Sequence, residues 1–193
     1  MTNLDSKIAG HIYPVGGAVV NDKGEIASTG DQDHRYVPEA VSFRNYVNDF
    51  LKGEGASLLD YLGSTKGKRM IEIKGVGSAE LEDRVYASII HNGEKGVILV
   101  NGKGYGFDEG AEDFAERHGV TDDMAKEYIV AHEIVHAHGY HDESKTERVL
   151  GDYFTNMANN TDEPALKGKY EQLAEVAYER AEAQEKAESN KAA

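Results

Sequence analysis

The sequence predicts an α+β fold: a small sheet, then a helix bearing the reactive side chains, a second helix and a C-terminal helical tail. Three observations lead there. Short β-branched runs bounded by Gly, Asn and Asp occupy the middle of the chain. From Ala111 the apolar residues recur at helical spacing between clear start and stop signals. The last thirty or so residues are dominated by Ala, Glu and Lys. At 193 residues the chain suits one domain of ordinary size. We place that domain at residues 1–160 and a charged helix at 161–193.

The elements follow in order. Ala18 to Val20, a turn at Asn21 to Gly24, then Glu25-Ile26 read as a small hairpin. Pro38 opens a helix with Phe43, Tyr46, Val47, Phe50 and Leu51 on one face, and Gly53 closes it. Ser57 to Leu62 reads as a short helical turn. Met70 to Lys74 and Arg84 to Ile90 read as strands, and the turn His91 to Gly96 leads to a returning strand, Val97 to Val100. Gly102, Gly104, Gly106 and Gly110 mark a loop whose spacing does not fit a dinucleotide fingerprint. A short helix runs from Ala111 to His118. The next is capped by Thr121, carries Asp122 and Asp123 in its first turn and stops at Gly139. Another follows from Asp142 or Ser144 to Ala158, with Ser144-x-x-Glu147 in the form of a capping box. The tail, about Glu163 to Glu188, has a weak stripe of Leu166, Tyr170, Leu173, Ala177 and Ala181. It is expected to pack at its start, fray at its end and present a solvated charged face with no function.

Composition narrows the chemistry. With no cysteine, disulfides and thiolate zinc sites are excluded, so any metal must be held by His, Asp or Glu. A formal net charge of −14 opposes binding to phosphate backbones, so no nucleic-acid partner is expected. No apolar run approaches the roughly 20 residues that span a bilayer, and the start lacks a basic segment followed by an apolar one. The expectation is a cytoplasmic protein with no membrane partner.

The chemistry concentrates in His132-Glu133-Ile134-Val135-His136. Histidines four apart on a helix lie about 40° apart around the axis and about 6 Å along it, so both imidazoles reach one tetrahedral zinc ion. Glu133 projects to the side of that pair, where it can accept a proton from a water on the metal. Gly139 can turn the backbone sharply and bring Asp142, three residues on, back to the metal as third ligand. Glu147, Glu143, His141 and His138 are the alternatives. The bland reading of His138 and His141 is of exposed histidines at a helix C-terminus that favours positive charge.

This segment resembles the zincin metallopeptidases. His-Glu-x-x-His-x-x-Gly-x-x-Asp, from His132 to Asp142, is similar to the metzincin motif, with Tyr140 and Glu143 as in the astacin branch. A gluzincin resemblance places the third ligand on a following helix, with another acidic residue four positions on, which Glu143 and Glu147 supply. Either implies a zincin-like domain that hydrolyses polypeptide with Zn2+, and a cleft strand, here Arg84 to Ile90 or its hairpin partner, that pairs with substrate. His132, His136, Gly139 and Tyr140 are also shared with the motif of a bacterial rRNA-maturation endoribonuclease family. Glu133 standing for that family's glycine, and the negative charge, favour the peptidase. A non-catalytic zinc-stabilised domain is the third reading.

Overall fold

The computed structural model describes residues 13–14, 18–20, 26–28, 38–64, 72–79, 86–92, 95–101 and 107–191, with side chains at 43, 45–64, 86–89, 98 and 107–190. Three short strands come first: β1 (Tyr13–Pro14), β2 (Ala18–Val20) and β3 (Ile26–Ser28). Helices α1 (Pro38–Lys52) and α2 (Glu54–Ser64) follow, then β4 (Glu72–Ala79), β5 (Ala87–Asn92) and β6 (Lys95–Asn101). Four helices complete the chain: α3 (Phe107–His118), α4 (Asp122–Ala137), α5 (Glu143–Asn159) and α6 (Pro164–Lys191).

The expected α+β class is corrected by this architecture. The molecule is mostly helical, with 84% of the residues described with their side chains in helices. The strands contribute backbone ladders, β2 with β3 and β1-β4-β6-β5, in which β4 and β6 run parallel and β5 and β6 antiparallel. The core is helical because α4 is buried almost all round. Met124, Ala125, Tyr128, Ile129, Val130, Ala131, Ile134, Val135 and Ala137 are all covered, by α3, α5 and the other helices on most sides and by β5 on one.

Aromatic side chains fill the spaces between helices. Phe43 of α1 lies 4.7 Å from Phe107 of α3, Phe114 of α3 lies 5.0 Å from Tyr128 of α4, and Tyr61 of α2 lies 5.5 Å from Tyr153 of α5. The Tyr153 hydroxyl donates to the Glu54 carbonyl at 3.0 Å, so this large side chain is buried without an orphaned polar end. At Gly151 the missing side chain matters. A Cβ there would stand 2.6 Å from the Tyr178 ring, and its absence lets α6 lie close along α5. Tyr170, Leu173, Ala174, Val176, Ala177 and Ala181 are buried, so α6 packs well beyond its first turns.

Local signals place the helix ends. Thr121 caps α4 by accepting from the Met124 amide, and Gly139 follows the helix at φ +85°. Two expectations shift. Gly110, expected in a loop, lies inside α3, and the turn at Ser57 is part of an eleven-residue helix. The turns at 21–25 and 93–94 and the glycine loop at 102–106 lie outside the described residues. Among the described residues no helix is long and apolar enough to cross a membrane.

Candidate metal centre

Tyr128, His132 and His136 succeed each other at four-residue intervals along α4 and share one face. Gly139 reverses the chain after the helix, and α5 begins at Glu143 beside that face. The result is a convergence of three ligand-type side chains, His132, His136 and Glu143, whose ligand atoms all lie within 4.8 Å of one another. The two Nε2 atoms are 2.9 Å apart. The Glu143 carboxylate spans the pair, Oε2 lying 3.3 Å from His132 Nε2 and Oε1 3.3 Å from His136 Nε2. The histidine side chains are only 12% and 14% exposed, whereas that of Glu143 is 48% exposed, so the site opens on the Glu143 side.

The far nitrogens of both rings face acceptors, one closely and one loosely. His136 Nδ1 lies 2.6 Å from the Tyr140 carbonyl and donates to it, which leaves the lone pair on Nε2. The Thr146 hydroxyl donates to the same carbonyl at 3.1 Å and holds the turn. His132 Nδ1 faces Glu147 Oε1 at 3.4 Å, a loose approach that leaves this nitrogen short of a good hydrogen bond. With Nδ1 turned to acceptors, both Nε2 lone pairs point into the space bounded by Glu143. Two lone pairs 2.9 Å apart repel unless a cation lies between them, and imidazoles backed by a carbonyl and a carboxylate are the usual dress of metal ligands. The donor set therefore fits a metal ion, two nitrogens and one carboxylate being the pattern of an open zinc site.

The electrostatics agree. Burial disfavours the His132 imidazolium, but the Glu147 charge and the contacts with Glu143 and Glu147 outweigh it and raise the pKa to about 10. Contacts with His132 and His136 hold Glu143 well below the usual carboxylate range. The pocket thus favours positive charge between the rings, whether proton or metal. Glu133, 6% exposed, is pushed upward by burial against the pull of the two histidines. It lines, with His132, His136 and Glu143, a cavity of about 430 Å³. Tyr86 just before β5, Ala87 and Ser88 on β5, Phe114, Arg117 and His118 on α3, and Arg180 and Gln184 on α6 form other parts of its wall.

Of the residues singled out from sequence, His132, Glu133 and His136 come together and Asp142 does not join them. Asp142 is the N-cap of α5: its Oδ1 accepts from the Lys145 amide at 3.0 Å and from Ser144 Oγ at 2.8 Å. The cap therefore consumes the carboxylate expected to reach the metal, and it is the next residue, Glu143, that faces the two histidines. The Ser144–Glu147 capping box is corrected for the same reason, since Glu147 is fully buried behind His132. His138 is also corrected. It is 2% exposed, its Nδ1 donates to the Ile134 carbonyl at 3.0 Å, and burial lowers its pKa. His141 is exposed as expected.

Sequence reasoning missed Tyr128, Thr146 and Arg180. Tyr128 carried a usable signal, one turn before His132 on the same helix face. Arg180 carried none, being 33 residues from Glu147, whose carboxylate it holds. Comparisons with protein families, curated proteins and solved structures return no match to this chain.

Proposed function

We propose that this chain is a zinc-dependent metallopeptidase with a gluzincin-like ligand set, His132, His136 and Glu143, and Glu133 as its general base. The observation that carries the reading is the convergence of those three ligand atoms on the wall of a cavity that the buried Glu133 also lines. Zinc held there supplies a Lewis acid that acidifies water and polarises a carbonyl. Glu133 takes a proton from the attacking water as its oxygen bonds to the scissile carbonyl carbon. It then delivers that proton to the amide nitrogen as the C–N bond breaks. Burial suits Glu133 to this shuttling, because it weakens the carboxylate's preference for the charged form.

Substrate placement is supported by β5. It pairs with β6 on one side and, among the described residues, ends the ladder on the other, and Ala87 and Ser88 of this strand line the cavity. An extended polypeptide can add to such an edge through main-chain hydrogen bonds.

The test is Glu133→Gln. It should bind zinc as wild type does, retain its fold and lose polypeptide hydrolysis, because an amide cannot accept the proton. Hydrolysis at the wild-type rate removes Glu133 from the mechanism. Cleavage of RNA and of no polypeptide by the wild-type chain rejects the peptidase reading.

A further inference from the structure

Arg180 of the long C-terminal helix reaches the candidate metal centre by way of Glu147. Glu147 stands between α4 and α6 with no exposure. Its Oε1 faces His132 Nδ1 at 3.4 Å and accepts from Arg180 Nε of α6 at 2.6 Å. Its Oε2 accepts from the Tyr128 hydroxyl. The Arg180 guanidinium is itself held, 5.4 Å from the Phe114 ring centroid and 5.7 Å from that of Tyr128. Its side chain is 28% exposed, so this interaction is largely shielded from water.

We infer that Arg180 is a positioning residue of the metal centre: it fixes the Glu147 carboxylate that orients His132, and so couples docking of α6 to metal affinity. This rests on the metal reading above. A buried carboxylate needs donors on both oxygens to keep one orientation. Tyr128 holds Oε2 and Arg180 holds Oε1. Without the guanidinium, Oε1 has only the loosely placed His132 Nδ1, and the carboxylate can turn away from the ring. His132 then loses the acceptor that aims its Nε2 at the metal. Because coupling between sites is reciprocal, bound metal should in turn hold α6 more firmly against α4 and α5.

The test is a zinc titration of the full chain against a chromophoric chelator. Arg180→Met keeps the apolar stem over the two rings and should bind zinc about 10–100-fold more weakly than wild type. Arg180→Lys restores the charge and should recover part of that loss. Glu185→Gln breaks a different α5–α6 pair, the bidentate Arg148–Glu185 contact at 2.8 and 2.9 Å, and should bind zinc as wild type does. Wild-type zinc affinity in folded Arg180→Met overturns the inference. So does an equal loss in Glu185→Gln, which would trace the effect to helix docking in general. Should Arg180→Met fail to fold, hydrogen exchange of the wild-type chain decides. Zinc should slow exchange of the α6 amides over 176–184, and no change there overturns the coupling. A wild-type chain that binds no zinc removes the metal reading itself, an outcome distinct from all of these.

Discussion

On the proposed metal reading, Asp142 and Glu143, two neighbouring carboxylates, take opposite roles, and only Glu143 is the third ligand. Asp142→Ala removes the cap of α5, an acceptor for the Lys145 amide, and touches neither histidine. Loss of such a cap should lower Tm by about 2–4 °C in a chain of this size and leave zinc affinity unchanged. Glu143→Ala instead removes the only carboxylate among the described residues that faces both Nε2 atoms, at 3.3 Å from each. A lost ligand should weaken zinc by more than the roughly 100-fold upper range for a supporting residue. Linkage converts this into a thermal shift. At free zinc 100 times the wild-type Kd, binding stabilises wild type by about 2.7 kcal/mol. A 100-fold weaker variant at the same zinc level retains only about 0.4 kcal/mol. With about 2–4 °C per kcal/mol, wild type should gain roughly 5–11 °C on adding zinc and Glu143→Ala at most about 2 °C. Asp142→Ala should start lower and show the full gain. Thermal unfolding of the three proteins, with zinc and with chelator, reads all of this at once. A full zinc-induced gain in Glu143→Ala, with its loss in Asp142→Ala, would refute the assignment.

Two further outcomes concern stability. Glu127 is 2% exposed and contacts Lys169 at 2.5 Å, yet burial pushes its pKa to about 7, against the pull of Lys169. Between pH 4.5 and 7 the folded chain keeps a proton that the unfolded chain has lost, so this group makes stability fall as pH rises, and the effect levels off above 7. Glu127→Gln should remove that slope, worth roughly 3 kcal/mol across the window, in denaturant unfolding compared with wild type at each pH; parallel pH profiles would refute it. At Gly139, φ is +85° and a Cβ would meet nothing within 4 Å, so the cost of Gly139→Ala is conformational, about 1–2 kcal/mol, and Gly139→Asn should cost less. Equal stability of the alanine variant and wild type would show that the turn relaxes.

The sequence by itself determined the helix on which the candidate site stands. His132, Glu133 and His136 depend on one another through helical periodicity alone, and the cap at Thr121 and the stop at Gly139 are local signals that tertiary packing did not override. It also limited the ligands of any metal to imidazoles and carboxylates, since the chain has no cysteine. The tertiary structure decided what spacing could not. Asp142 and Glu143 are adjacent, and one residue of register determines which caps α5 and which faces the histidines; that register depends on where α5 lies against α4. The helical class had the same origin. The strand signals were legible, but how small a share the strands take of the core depends on α4 being packed mostly by other helices, with β5 on one side, which no local pattern expresses. Arg180 is the clearest case. Along the chain it is one basic residue in a solvated-looking helix, and only the docking of α6 brings its guanidinium 2.6 Å from Glu147. Periodicity and capping act within a few residues and can be read in order, whereas a buried ion pair depends on long-range packing that sets distance in space apart from distance along the chain.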